Sequence, residues 1–221
     1  MNAENKIYPD SVRVVSDTEA LFNERFSHEQ NGLVYPRDVS GDFIQVAKHV
    51  IANFRESHPD CTQVTTASRS GAGSVVSDWG TIRSLLSSDS DHSVRQAIEC
   101  IDEDIDLFHM AGYTCDIRFE QGHHGRANEP HFDGSGSSPL SRMLTCYTEP
   151  ATLGWKKSDV VVSRQDLSLS FSDACTPFSM GVGPIWRIAV IGDMIEEDID
   201  PLIHIRQESE EARAILIATK N

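Results

Sequence analysis

The feature that most constrains this chain is a change of hydrophobic period at Gly112. Before it, apolar residues recur at helical spacing. In SGDFIQVAKHVIANF (residues 40–54), Phe43, Val46, Ala47, Val50, Ile51 and Phe54 fall at i, i+3, i+4, i+7, i+8 and i+11. That is one face of a helix, with Ser40 or Asp42 as its N-cap. DHSVRQAIECIDEDIDLFHM (residues 91–110) stripes Val94, Ile98, Ile101, Ile105 and Phe108 along a second helix that Gly112 stops. After Gly112 the apolar runs become short and are mostly rich in β-branched or aromatic residues. They are YTCDIRFE from Tyr113, SRMLTCY from Ser141, DVVVS from Asp159, DLSLSF from Asp166, IWRIAVI from Ile185, PLIHIR from Pro201 and ARAILIA from Ala212, parted by Gly, Pro, Asp and Ser. Such strands at such spacing predict a β-sandwich or open barrel. SRSGAGSVVS (68–77) and GSGSS (134–138) read as loops, and no repeat or long linker divides the chain. The expected class is α+β, with a mainly helical part over residues 1–111 buttressing a β-core over residues 112–221, as one structural unit.

Composition removes several functions. A hydrophobic share of 39% with three Trp and nine Phe describes an ordinary globular protein and not a disordered one. A formal net charge of −15 opposes a surface that tracks phosphates, so nucleic acid is not an expected partner. The acidic runs DEDID (102–106) and EEDID (196–200) read as solvated faces and loops. Five cysteines, odd in number and never in C-x-x-C, look like a reduced set and suit the cytoplasm. MNAENKIYPD lacks a charged-then-apolar layout and no run approaches the length of a membrane span, so neither export nor membrane insertion is expected.

Chemistry enters through two His-x-Asp triplets, His58-Pro59-Asp60 and His131-Phe132-Asp133. Two imidazoles and a carboxylate on adjacent corners of an octahedron hold a metal while leaving three positions open. In a strand, side chains at i and i+2 share a face, so His-x-Asp supplies two corners and a distant strand must supply the third. The first triplet follows a helix and precedes polar CTQVTT, which reads as a helix-ending turn. The second, in EPHFDG, is followed by a run of strands, with Glu129-Pro130 and Gly134 as bends. Downstream the one remaining histidine is His204, 71 residues after Asp133 and inside the strand-like PLIHIR. Arg213 comes nine residues later, across the polar turn QESEE; in a hairpin it would lie one strand from the metal, placed to pair with a carboxylate.

The ordered set His131-x-Asp133, His204 and Arg213 resembles the 2-oxoglutarate- and iron(II)-dependent oxygenases, over roughly residues 112–219. The resemblance implies a double-stranded β-helix, a cupin-like jelly roll, in the C-terminal half. It implies His131, Asp133 and His204 as iron(II) ligands and Arg213 as the clamp on 2-oxoglutarate, with Tyr147 or Thr145 donating a second hydrogen bond to that cosubstrate. Lys156, Arg142 and Arg206 remain rivals to Arg213, and Arg206 shares the face of His204 by period two. The implied activity is hydroxylation, in which 2-oxoglutarate and dioxygen are consumed and the protein contributes geometry and a dry pocket. SRMLTCYTEPATLGW (141–155) is also similar to an uncharacterised bacterial family in which Arg, Tyr, Thr and Trp follow the His-x-Asp; here these are Arg142, Tyr147, Thr152 and Trp155, with one extra residue before Trp155. Two other readings stay open: a metal-binding cupin that does not use 2-oxoglutarate, and a non-catalytic binding or regulatory barrel.

The remaining candidates have bland readings beside the functional ones. His123 and His124 are adjacent and would point to opposite faces of a strand, so His123 is a substrate contact only if it lies at the barrel mouth. Trp155, Trp186 and Trp79 suit core packing, with Trp155 and Arg142 carried as substrate contacts. Ser68-Arg69-Ser70-Gly71 lacks the lysine of a phosphate loop. A small-molecule or amino-acid-like substrate is the default expectation, and the helical half is a candidate homodimer surface.

Overall fold

The computed structural model describes residues 8–67, 73–86, 91–122, 129–133, 141–207 and 209–220. In chain order the first half gives β1 (Val12–Val14), α1 (Thr18–Asn23), β2 (Gly32–Tyr35), α2 (Phe43–Arg55), β3 (Gln63–Thr65), β4 (Ser74–Val76), α3 (Trp79–Leu86) and α4 (His92–Met110). The second gives β5 (Thr114–Gly122), β6 (Ser141–Cys146), β7 (Leu153–Gly154), β8 (Val160–Val162), β9 (Leu169–Phe171), β10 (Phe178–Ser179), β11 (Ile185–Ile188), α5 (Ile191–Glu196), β12 (His204–Ile205) and β13 (Ser209–Lys220).

Both expected helices form where their periodicity places them. Asp42, not Ser40, caps α2, its carboxylate accepting from the Gln45 amide, and Asp91 caps α4 through the Ser93 amide. His58 and Asp60 lie in the turn that ends α2. The first half is less purely helical than expected: β1 and β2 extend one side of an eight-stranded sheet ordered β1-β2-β11-β6-β13-β5-β3-β4, and β3 and β4 extend the other. The two halves therefore share one sheet.

A smaller sheet, β10-β7-β12, gains a fourth member where His131 bridges His204. From β5 onward the chain visits large, small (at His131), large (β6), small (β7, β10), large (β11), small (β12) and large (β13). That winding is the double-stranded β-helix, two four-stranded layers closed on each other. DVVVS and DLSLSF, expected as barrel strands, instead make a separate hairpin of β8 and β9 in which Val161 is 68% exposed. The strands that take their place, β7 and β10, are two residues each and carry no β-branched signature.

Residue parity sorts the core into two layers. On β13, Ala212, Ala214, Leu216 and Ala218 join the cluster beneath α2 and α4, whereas Ile215 and Ile217 join the one between the sheets. The three alanines leave space for α2 to settle against the strand. On β6, Met143 faces the helices while Leu144 and Cys146 face the barrel interior. Among the described residues no helix is long and apolar enough to cross a membrane, and all five cysteines are free thiols.

Candidate metal centre

His131 and His204 exchange both backbone bonds, His131 N–H to His204 O at 2.9 Å and His204 N–H to His131 O at 2.8 Å. Residues directly opposite in an antiparallel pair project to the same face. The two rings accordingly lie 4.5 Å apart, centroid to centroid. Asp133, two positions on, brings Oδ2 to 3.5 Å from His204 Nε2. One donor atom from each of His131, Asp133 and His204 lies within 4.8 Å of the others.

The surroundings prepare these atoms as ligands. His131 Nδ1 lies 2.9 Å from Glu129 O, and His204 Nδ1 3.2 Å from Leu202 O. A carbonyl can only accept, so each Nδ1 carries the proton and each Nε2 presents a lone pair to the common space. Burial holds His204 below its ordinary pKa of 6.5, against the pull of Asp133; the neutral ring is the form that binds a metal. Asp133 is fixed from two sides: Arg142 Nη1 reaches its Oδ1 at 3.1 Å, and the Ile191 amide at the start of α5 donates to its backbone carbonyl at 3.1 Å. Oxygen and imidazole donors of this kind match a divalent transition metal with open positions, so the residues fit iron(II).

Beside the three residues lies a cavity of about 290 Å³, lined by Arg118, Glu120, Arg142, Thr152 and Arg206 with apolar walls from Leu144, Ile215 and Ile217. Arg142 and Arg206 thus stand where the sequence places a rival clamp or substrate contact. Arg213 faces the barrel interior but not the cavity: it is buried behind Glu120, with Nε 3.0 Å from Glu120 Oε1 and Nη1 donating to Gln207 O at 2.8 Å.

Three expectations are corrected. Tyr147 and Thr145 share a face, as anticipated, but it is the face opposite the cavity. Tyr147 stacks on Phe43 at 4.8 Å and donates to Asp104 Oδ2 at 2.5 Å. Its phenol is held well above the ordinary pKa, by burial first and then by the Asp104 charge. Thr145 is fully buried in the same direction. Trp155 turns away from the cavity to pack edge-on against Phe171 at 5.5 Å. Lys156 is exposed and lines no part of the cavity. His123 lies outside the described residues, as do 68–72 and all of 134–138, whereas Ser74–Val76, expected as loop, forms β4.

The sequence pointed to neither Glu120 nor Arg118, and to Thr152 only through the likeness to the uncharacterised family. The signal for Arg118 and Glu120 was legible: Asp116, Arg118 and Glu120 alternate along one face of β5. Arg118 pairs with Asp116 at 2.6 Å and lines the cavity.

Fold and centre together define a double-stranded β-helix with a His, Asp, His cluster at the mouth of its small sheet. No protein-family model matches the chain, and no curated protein does. Among solved structures it is similar to dioxygenase for auxin oxidation 1 from Arabidopsis thaliana, a complex with 2-oxoglutarate, at 11% identity and a TM-score of 0.46, covering 94% of this chain and 91% of that one. A putative oxygenase from Shewanella oneidensis matches at 9% identity and TM-score 0.41, over 94% and 88%. An oxidoreductase of the 2OG-Fe(II) oxygenase family from Burkholderia pseudomallei matches at 12% and 0.31, over 83% and 92%. At such identities and TM-scores none of those proteins' activities passes to this chain.

Proposed function

We propose that the protein is an iron(II)-dependent oxygenase that uses 2-oxoglutarate to hydroxylate a small-molecule or amino-acid-like substrate. The observation that carries this reading is the convergence of His131, Asp133 and His204 within 4.8 Å beside a cavity bearing three guanidinium groups. A barrel that had lost its site would leave those atoms apart.

Iron(II), when bound, supplies activation of dioxygen coupled to oxidation of 2-oxoglutarate. This chain's residues supply the rest. His131 and His204 offer Nε2, each ring held by its Nδ1 hydrogen bond. Asp133 offers a carboxylate oxygen, and Arg142 holds that carboxylate in place. Arg206, which reaches the cavity, is the first partner for the remote carboxylate of 2-oxoglutarate, with Arg213 behind it. Leu144, Ile215 and Ile217 keep the cavity wall apolar and limit water near the centre.

Anaerobic titration with iron(II) tests the reading. The wild type is expected to bind one ion per chain, His131→Ala and His204→Ala are expected to bind at least tenfold more weakly, and the loaded wild type is expected to convert 2-oxoglutarate to succinate. A folded wild type that binds no iron(II) would remove the proposal.

A further inference from the structure

The basic end of the cavity already contains a carboxylate. Glu120 on β5 is the register partner of Arg213 on β13 and is 1% exposed. Arg206 Nε lies 2.7 Å and Arg213 Nε 3.0 Å from the same oxygen, Glu120 Oε1. A guanidinium holds a carboxylate best through two parallel N–H···O bonds, one to each oxygen. Here two arginines crowd one oxygen, neither contact has the directionality of a hydrogen bond, and Arg213 Nη2 is left buried without a partner. Glu120 is therefore held by charge more than by directed bonds, and burial pushes its carboxyl above the ordinary value against the pull of Arg213, Arg206 and Arg118.

We infer that Glu120 is an internal competitor for the carboxylate subsite: an incoming dicarboxylate displaces it from Arg206 and Arg213, and the cavity's affinity for such ligands is set by that exchange. The inference rests on the reading of the cavity as the cosubstrate pocket. A ligand able to address both oxygens to Arg206 and Arg213 would satisfy the orphaned Nη2. If the subsite is open for only a fraction of the time, apparent affinity falls by that fraction, and removing the competitor restores it.

The experiment is a calorimetric titration of glutarate into metal-free protein and of 2-oxoglutarate into anaerobic iron(II)-loaded protein, for the wild type and Glu120→Gln. Glu120→Gln is expected to bind both ligands about tenfold more tightly, as for a subsite open about a tenth of the time. Adding Arg206→Ala to it is expected to abolish the glutarate signal. A folded Glu120→Gln that binds glutarate no better than the wild type overturns the inference. Should Glu120→Gln fail to fold, Glu120→Asp, which keeps the charge but withdraws it by one methylene, is held to the same expectation and the same refutation. Absence of dicarboxylate binding by wild type and variant alike also overturns the inference, whatever the iron result. Absence of iron binding with intact glutarate binding instead removes the oxygenase reading and leaves the subsite standing.

Discussion

At the scale of single residues, Asp104 shows how a buried charge is kept. It lies on α4, 1% exposed, and receives the Arg37 guanidinium through both oxygens and the Tyr147 hydroxyl through Oδ2. The acidic run that contains it reads as solvated, and Glu103 and Asp106 are exposed; Asp104 is the member that turns inward to meet Arg37. Removing one partner of a buried pair costs more than the pair contributes, because the other charge is stranded. Asp104→Ala is expected to lower unfolding free energy by about 3–5 kcal/mol, and Tyr147→Phe by about 1 kcal/mol, both read from urea midpoints. Tyr147→Phe is expected to leave iron(II) affinity unchanged, since its ring faces the helices. The same residue marks the limit of local reading. Period two established that Thr145 and Tyr147 share a face, but which face meets the cavity depends on which layer packs against β6.

At the scale of elements, the small sheet is the sensitive one. Its register runs His131, His204, Gly154 and Phe178 across four short strands. The Phe178 ring leans over Gly154, and a Cβ built there would lie 2.7 Å from Cζ of that ring. Glycine is needed at this point because a neighbouring aromatic ring occupies the space that a side chain would take. Gly154→Ala is expected to displace the Phe178 ring and, because Gly154 is the register partner of His204, to disturb the histidine pair. It should cost about 1–3 kcal/mol in stability, as overpacking does, and weaken iron(II) binding in the same titration that reads His131→Ala. Two-residue strands such as β7 and β10 were invisible in the sequence because they owe their conformation to neighbours rather than to propensity. The β8–β9 hairpin was conspicuous for the opposite reason: Val160–Val162 has strong strand propensity but borders no core.

At the scale of the whole molecule, the centre ties residues 131–133 to a strand 71 positions later. A ligand that binds only the folded chain stabilises it by mass action, by about 2.7 kcal/mol at a hundredfold excess over the dissociation constant. Anaerobic iron(II) is thus expected to raise the wild-type denaturation midpoint and to leave that of His204→Ala where it is. What the sequence determined by itself was the part written in periodicity and order: two amphipathic helices, the change of period at Gly112, and the His131, Asp133, His204 series. These are local patterns, or a short list of chemically distinctive residues with few alternatives. Only the tertiary structure decided the rest. Sharing one sheet between the two halves, turning Tyr147 and Trp155 away from the cavity, and setting Glu120 between Arg206 and Arg213 all depend on which strand lies beside which. Hydrogen-bonded register between distant segments fixes those neighbours, and it leaves no mark on the spacing within any one of them.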